Sequence, residues 1–293
     1  MDAIIGDAPL RLSLFLLVLG ATALGEVVAP RRALTHSRWR RWPANLAIVA
    51  IGAALVRLAL PVTAVSTAAL AARHGWGLLN GGVTLPTWAA VAVSVIVLDL
   101  AIYLQHVVFH AVPVLWRLHR MHHADLDVDA TTGARFHPLE LLLSVVVKVS
   151  VVTALGAPPA GVVLFEVLLA ASSTFNHANL ALPGWVDRAL RWILVTPDMH
   201  RVHHSIDAAE TRSNFGFALS WWDRLGGTYR AQPAAGHAAM TLGIPAFRDP
   251  ADLGLGPLLV QPLRAERASD PAAGRPAPAT ASGEPRPPRP LVR

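Results

Sequence analysis

Five long apolar segments alternate with polar stretches along this chain. They cover about 9–29, 45–72, 88–112, 139–155 and 160–175. Each of the first three approaches the ~20 residues that an α-helix needs to cross a bilayer. The last two are shorter and are separated only by GAPPAG, which predicts a helical hairpin, fully spanning or re-entrant, that brings the chain back to the side it left. The pattern therefore predicts an all-α, polytopic membrane helical bundle of three spanning helices plus this hairpin.

The distribution of arginine predicts the orientation of the bundle. The first segment has acidic residues before it and arginines after it, which is typical of a retained transmembrane helix rather than a signal peptide. The loop between segments one and two holds five arginines, whereas the next loop holds only Arg73. The positive-inside rule places the first loop in the cytoplasm. We therefore expect an integral membrane protein, with the ends of the third segment and of the hairpin at the cytoplasmic face.

Composition narrows the possible chemistry. The chain is 53% hydrophobic and 15% charged, with a formal net charge of +6. Its basic residues are almost all arginine, and they form no stripe interleaved with aromatic residues, so we expect no nucleic-acid partner. There is no cysteine, which excludes disulfides, thiolate zinc sites and Cys-ligated iron–sulfur clusters. Any metal must be held by imidazole or oxygen. Residues 264–293 are rich in Pro, Ala and Arg, which predicts a disordered tail after a domain of residues 1–263.

Histidines are the candidate ligands. Asp99, Tyr103, His106 and His110 are spaced four, three and four in the third segment, so they share an arc of roughly 60° on one helix face. Ionisable groups inside a membrane segment are costly and usually mark function. A polar face that only packs against other helices is the plain alternative for one histidine, but two further clusters follow downstream.

Those two clusters repeat one spacing. HRMHH contains His119, His122 and His123, and HRVHH contains His200, His203 and His204. Histidines at i, i+3 and i+4 lie on one helix face and, when neutral, can share a metal ion. A surface cluster or a pH sensor would not need the triplet twice together with H-x3-H. With His106 and His110 the set is eight, which suits two ions with about four nitrogens each.

Further residues complete the predicted site. His177 in FNHANL is a candidate ligand, and His137 in RFHPLE is either a ligand or a cap of the fourth segment. The isolated His36, His74 and His237 are assigned no role. A ligating imidazole usually donates its other N–H to an acceptor, and the candidates for such polar partners are Asp99, Asp198, Asn179, Asn214 and Asp223.

Several stretches resemble the fatty acid hydroxylase / sterol desaturase superfamily of integral-membrane di-iron enzymes. They are DLAIYLQHVVFH, LWRLHRMHH, TTGARFHPLE, FNHANL, TPDMHRVHHS, SNFGFALSWWDRLGGTY and TLGIPAFRDP, over roughly 99–250. The eight clustered histidines match the family boxes, and His177 matches a further box. The chain departs from the family pattern at Gly226, where an aromatic residue is expected before GT, and we expect only a local effect.

The stretch RRWPANLAIVAIGAALVRLALP also resembles bacterial members of the family. The resemblance implies a helical membrane fold with a cytoplasmic histidine-rich cap, in the bacterial inner (plasma) membrane. It also implies two non-haem iron ions per chain, which zinc can replace, and O2 as the co-substrate in attack on a C–H bond of a membrane lipid. Because no side chain is a sufficiently strong oxidant, a redox metal must supply the chemistry. The electrons must come from an external ferredoxin- or cytochrome-type donor, since we find no flavin or haem motif.

Two other classes of function were weighed. A non-catalytic membrane metal-binding protein or transporter would more often place its ligands near the bilayer midplane on discontinuous helices. A zinc hydrolase would have fewer ligands and a glutamate base, as in H-E-x-x-H. Neither pattern is present in the histidine boxes. The sequence leaves open hydroxylation against desaturation, and it leaves open the lipid: fatty acyl, sterol-like or related.

Overall fold

The computed structural model describes residues 8–60 and 62–266, with side chains described from Leu12 onward. These residues form helices and connecting loops, and no strand longer than an isolated bridge occurs among them. The helices are α1 (Ala8–Val28), α2 (Arg38–Ala59), α3 (Ala64–His74), α4 (Leu78–Gly81), α5 (Thr87–Ala111), α6 (Pro113–His123), α7 (Pro138–Leu155), α8 (Pro159–Asn176), α9 (Gly184–Leu190), α10 (Pro197–His203), α11 (Ala208–Thr211), α12 (Trp221–Leu225), α13 (Gly236–Ala239) and α14 (Leu255–Val260).

Within the described part of the chain, four helical stretches are long and apolar enough to cross a membrane, which agrees with the predicted membrane bundle. They are Arg38–Gly81, Thr87–Ala111, Pro138–Leu155 and Pro159–Asn176. At 1.5 Å per residue, the 18-residue helices α7 and α8 are each about 27 Å long, close to the ~30 Å of the hydrocarbon core. The described side chains of α1, Leu12–Val28, form a shorter apolar helix.

The second apolar segment is interrupted, whereas the sequence predicted one continuous helix over 45–72. Helix α2 begins at Arg38 and ends at Ala59, and Leu60 is extended. A new helix, α3, starts at Ala64 because Thr63 caps it: Thr63 Oγ1 accepts from Ser66 N, and Ser66 Oγ accepts from Thr63 N. Such a reciprocal capping box satisfies amides that would otherwise lack partners and fixes the start of a helix.

The core of the bundle lies between α3, α5, α7 and α8. Leu98 and Ile102 of α5 pack there against Val152 of α7 and Phe165 of α8. Helices α5 and α8 approach closely because Gly161 has no side chain; a Cβ at this position would lie 3.0 Å from Ser94 Cβ. Helix α2 packs against α7, and α1 packs against α8. This packing brings the C-terminal ends of α5 and α8 to the same end of the bundle.

Short helices and loops form a cap over that end. The cap contains α6, α9 to α14 and three 3₁₀ turns, Thr132–Ala134, Pro250–Leu253 and Gln261–Leu263. The start of the predicted tail contacts this cap, since Arg120 Nη1 donates to Glu266 Oε1 at 2.9 Å. The rest of the predicted tail, 267–293, lies outside the described residues, so its disorder stays a prediction.

Candidate metal centre

Nine of the ten predicted ligands meet in the cap as two histidine groups. In each group, one ring nitrogen per residue lies within 4.8 Å of the others. All nine are buried except His110, which is half-buried. The first histidine group is His106, His110, His119, His123 and His203, and the second histidine group is His122, His177, His200 and His204.

The two HxxHH triplets interlock between the groups. His119 and His123, four residues apart on α6, belong to the first group, while His122 between them belongs to the second. In the second triplet, the outer two histidines belong to the second group and the one between them belongs to the first. His200 and His204 belong to the second group and His203 to the first. Each triplet therefore contributes to both groups, so the two groups belong to one continuous histidine cluster.

Local sequence explains how the triplets are presented. Helix α6 starts with Pro113 at its first turn, and only one extended residue, Val112, separates it from α5. Helix α10 is only seven residues long; Thr196 Oγ1 accepts from Met199 N and Pro197 occupies the first turn. Proline tolerates a first turn because its missing N–H needs no partner there. Both triplets consequently lie at the C-terminal end of a short helix.

Backbone carbonyls fix the tautomer of four imidazoles. Nδ1–H of His106 donates to Phe215 O at 2.7 Å, and Nδ1–H of His203 donates to Ser213 O at 2.7 Å. In the second group, the acceptors are Ser173 O for His177 (2.7 Å) and Arg135 O for His122 (3.2 Å). A carbonyl can only accept, so Nδ1 carries the proton and Nε2 presents a lone pair.

Those lone pairs face one another in both groups. His106 Nε2 and His203 Nε2 are 3.0 Å apart, as are His122 Nε2 and His177 Nε2. Two unprotonated nitrogens cannot hydrogen-bond, so these contacts are unfavourable for neutral rings alone. A metal ion with bonds of about 2.1 Å holds ligand nitrogens at right angles about 3.0 Å apart. In the second group, His204 also has both ring nitrogens buried without a hydrogen-bond partner. The residues therefore fit a cation in each group.

Burial keeps the cap histidines neutral, as ligation requires. Desolvation, followed by the charge of neighbouring histidines, lowers the pKa of His122, His123, His200 and His204 well below the usual value. Desolvation likewise lowers the pKa of His177 to about 4 and that of His203 to about 3. Near neutral pH these rings carry no charge and their lone pairs are available.

Glu140 is a partner of the site that the sequence argument did not find. Its Oε1 lies 2.6 Å from His119 Nδ1, so the carboxylate accepts this N–H and orients the ring. The available signal was that Glu140 is the only acidic residue in the fourth apolar segment. A carboxylate hydrogen-bonded to a ligating imidazole fixes its tautomer and raises its basicity.

His137 does not join either group. Its Nδ1 accepts from Leu139 N at 3.2 Å and thereby caps α7, while Nε2 lies 3.2 Å from Leu259 O. Both ring nitrogens have partners within the protein, and one of them closes a helix end. Of the two alternatives given by the sequence, the structure favours the cap, and His137 is left out of the ligand set proposed below.

None of the five predicted polar partners is hydrogen-bonded to a grouped histidine, and only two of them hold backbone next to the site. Asp223 accepts from Phe215 N at 2.7 Å and Gly216 N at 2.9 Å, which holds the loop whose carbonyl orients His106. Asn214 Nδ2 donates to Met199 O at 2.8 Å. The other three bond elsewhere: Asp99 to Trp222, Asp198 to Arg31, and Asn179 to Arg32.

A buried charge network braces the loop after α6. Arg41 donates to both oxygens of Asp125, at 2.8 and 2.7 Å, and to Asp129 at 2.6 Å. Arg135 Nη1 lies 3.1 Å from Asp125 Oδ1. The two arginines lower the pKa of Asp125, so the carboxyl stays charged despite full burial. Because the carbonyl of Arg135 accepts from His122, the network fixes the position of a histidine in the second group.

Two glycines allow close packing beside the site. A Cβ on Gly133 would lie 2.2 Å from Ser173 O, the carbonyl that orients His177. A Cβ on Gly226 would lie 2.2 Å from the hydroxyl of Tyr103, which is 3.0 Å from Thr228 Oγ1. The residue at which the sequence departs from the family pattern thus makes room for Tyr103.

A cavity of about 300 Å³ reaches the first histidine group from within the bundle. We call it the apolar cavity; His106 and His119 line one end, and its walls include Phe15, Val49, Ile102, Phe109, Phe136, Leu141, Leu169 and Phe217. A second cavity, of about 400 Å³, lies beside His110 and Trp116 and is lined by cap residues. The histidine centre therefore stands between a space among the long helices and a space in the cap.

The central region of the chain is similar to known proteins. Residues 91–228 match the family model for fatty acid hydroxylase. The chain is 29% identical over 144 residues to ornithine lipid hydroxylase OlsE of Rhizobium tropici, covering 49% of this chain and 42% of that protein. It is 30% identical over 138 residues to alkylglycerol monooxygenase of Xenopus tropicalis, covering 45% and 28%. For the Homo sapiens alkylglycerol monooxygenase the identity is 28% over 153 residues, covering 50% and 31%.

The chain thus spans less than half the length of each of these relatives. No solved structure matches it.

Proposed function

Because residues 91–228 match the family model for fatty acid hydroxylase, we propose that this chain is an O2-dependent oxidoreductase that hydroxylates or desaturates a C–H bond of a membrane lipid. The observation that carries the proposal is the position of the histidine centre at the end of the apolar cavity. Such a cavity suits an alkyl chain, and a nitrogen-rich metal site suits its oxidation. The names of the relatives, which are lipid-directed hydroxylases and monooxygenases, support a lipid substrate.

The proposed ligands are the nine grouped histidines, with one iron ion per group. When bound, iron would supply the activation of O2 that side chains cannot provide. The protein's own contribution is to hold the rings in one tautomer. Four backbone carbonyls and Glu140 accept hydrogen bonds from the Nδ1–H groups of five rings, and this leaves the Nε2 lone pairs of those rings directed inward. Zinc suits the same donors and can replace iron.

The apolar cavity is proposed to orient the substrate and to exclude water. Its walls are mainly apolar side chains of α1, α2, α5, α7 and α8. An alkyl chain lying there would pass close to His106 and His119, the ligands that line the cavity. Dry, apolar surroundings also protect a strong oxidant from side reactions with solvent. Whether the lipid is hydroxylated or desaturated would then depend on how its alkyl chain lies against the histidine centre.

Electrons are proposed to arrive from the opposite side. His110 is the half-exposed ligand and lines the cap cavity together with Trp116. The Trp116 ring lies 5.0 Å from the His110 ring and 5.4 Å from the His123 ring. An external ferredoxin- or cytochrome-type donor docking on this face would approach the centre without entering the bilayer. Five arginines follow α1 within the connection and the first turn of α2: Arg31, Arg32, Arg38, Arg40 and Arg41. Under the positive-inside rule, these arginines support the proposal that this face is turned to the cytoplasm of a bacterial inner membrane.

The experiment compares lipids of cells that express the full chain with lipids of cells that express His122→Ala. Mass spectrometry is expected to show lipid species that gain one oxygen atom or lose two hydrogen atoms only with the unaltered chain and only in air. His74→Ala is the matched control, because His74 lies outside both groups. The proposal would be contradicted if the unaltered protein, supplied with iron and a reductase system, produced no change in the lipids.

A further inference from the structure

An ion pair lies deep among the long helices, far from the cap. Lys148 Nζ of α7 contacts Glu166 Oε1 of α8, and their side chains are 15% and 21% exposed. Lys148 is the only lysine of the chain. It lies ten residues beyond Pro138, and Glu166 lies ten residues before Asn176, so both are about 15 Å from the cap ends of their helices. Such charges are costly within a membrane and are usually retained for function.

The location of the pair argues against a purely structural bridge. Both side chains line the apolar cavity, whose other end is formed by His106 and His119. Glu166 also lines an adjoining cavity of about 200 Å³ between α1 and α8. A pair that only joined two helices would be shielded within their contact, whereas this pair borders the space in which the substrate is proposed to lie. Replacing a buried pair by apolar residues is often neutral or stabilising, so stability alone does not explain it.

The pair also continues a polar line from the metal centre. Glu140, Ser144 and Lys148 are spaced four residues apart on α7, and all three line the apolar cavity. Residues at i, i+4 and i+8 lie along one face of a helix. The cavity thus has an apolar wall with one polar edge that ends in a charged pair, a surface that suits a chain with a polar substituent better than plain hydrocarbon.

The spacing sets where such a substituent would lie. Lys148 is eight residues beyond Glu140, which contacts His119, so the pair is about 12 Å along α7 from that contact. An extended chain with carbon–carbon bonds of about 1.5 Å covers this distance in roughly ten atoms. A lysine ammonium has three N–H donors, and the contact with one carboxylate oxygen engages one of them.

We propose that Lys148 and Glu166 form a subsite for an oxygen-bearing group, a hydroxyl or a carbonyl, carried by the substrate chain roughly ten atoms from the oxidised carbon. Lys148 donates to the oxygen, and Glu166 holds the ammonium in place and accepts from a hydroxyl. The inference rests on the proposed function, since it takes the apolar cavity as the site of the lipid. It narrows the substrate class to lipids with a polar group within the chain.

Binding of defined lipids to the full-length, iron-loaded protein tests the subsite. One probe is a phosphatidylcholine with an unmodified stearoyl chain. Each of the other probes carries one hydroxyl on that chain, at a different carbon near its middle. Native mass spectrometry measures binding, and product analysis under O2 with a chemical reductant is run in parallel. The unaltered protein is expected to prefer one hydroxylated probe over the stearoyl probe by about tenfold, equivalent to about 1.4 kcal/mol.

Three variants decide the role of the pair. The apolar double variant Lys148→Met/Glu166→Leu is expected to lose the preference while keeping its iron content, which shows that the fold and the centre are intact. Lys148→Arg keeps a donor and is expected to retain part of the preference. An unaltered protein without any preference, or a double variant that keeps it in full, overturns the subsite. Selective binding without any oxidised lipid would instead count against the proposed function and leave the subsite supported.

Discussion

The Nε2 atoms of His122 and His177 lie 3.0 Å apart, although each ring donates its Nδ1 proton to a backbone carbonyl. The same relationship joins His106 and His203. In both cases two lone pairs are held face to face by the surrounding backbone. Because this arrangement is unfavourable without a cation, the protein is built to gain stability when metal binds.

The division of the triplets predicts that the two ions can be lost separately. His177→Ala removes a ligand of the second group only, and His110→Ala removes a ligand of the first group only. Each variant is expected to bind about one iron ion per chain, measured by elemental analysis after anaerobic loading of the purified protein. The unaltered chain and His74→Ala serve as controls. Two ions retained in His177→Ala, or none in either variant, would contradict the assignment of ligands to separate groups.

His137→Ala distinguishes a cap from a ligand. The variant removes the acceptor of Leu139 N at the start of α7, and the loss of an N-cap costs about 1 kcal/mol of stability. We expect a small decrease in Tm with unchanged iron content. His137→Asn keeps a capping acceptor and should restore most of the Tm. Loss of an iron ion in both variants would make His137 a ligand after all.

Glu140 is expected to tune metal binding without being a ligand itself. Glu140→Ala leaves Nδ1 of His119 without its carboxylate acceptor, and removal of such a partner typically lowers metal affinity 10–100-fold. Competition with a chelator measures this affinity. Glu140→Gln preserves an acceptor oxygen, so it should lose less metal affinity than Glu140→Ala. Equal chelator resistance of Glu140→Ala and the unaltered chain would show that the contact has no influence on the metal.

The buried network around Asp125 predicts a large effect on stability. Asp125→Ala leaves the guanidinium groups of Arg41 and Arg135 buried without this partner, and breaking a buried pair costs about 3–5 kcal/mol. Asp252→Ala removes the ion pair with the more exposed Arg264 and should cost at most about 1 kcal/mol. Thermal unfolding in detergent compares the two variants. Similar losses of Tm in both would argue against the bracing role of the network.

The metal-free protein should lose stability on mild acidification. Burial holds the pKa of His177 at about 4 and that of His203 at about 3 in the folded protein, whereas an exposed histidine titrates near 6.5. As the pH falls below about 6.5, the unfolded chain binds more protons than the folded chain, so stability falls. We expect the Tm of the metal-free protein to decrease between pH 7 and pH 5, and to decrease less in His177→Ala. A Tm that does not change over this range would contradict the neutral state of the buried rings.

Much of this architecture is readable in the sequence because membrane helices and metal ligands leave strong local patterns. Apolar segments of near-spanning length gave helices α1, α5, α7 and α8 to within about two residues. The twofold HxxHH spacing indicated a binuclear site, because side chains three and four residues apart share a helix face. The break between α2 and α3 was missed, since the Thr63 and Ser66 cap lies within an otherwise continuous apolar run.

Contacts between distant segments could not be read in the same way. The interlocking of His122 and His203 into opposite groups depends on how α6 and α10 face each other, and sequence spacing does not determine that angle. Glu140 and the pair of Lys148 with Glu166 act across helices that are separate in the chain. The sequence indicated only that these residues are charged and lie in apolar helices, where charges are costly and usually mark function.

Iron stoichiometry of the purified full-length protein is the most direct test of the central claim. After anaerobic titration with Fe(II) and removal of unbound metal, the account predicts about two iron ions per chain, and about one in His177→Ala. A Mössbauer spectrum of the loaded protein would then show two nitrogen-rich iron sites. A chain that saturates at a single ion, or that binds none after reconstitution while remaining folded, would contradict a binuclear iron centre.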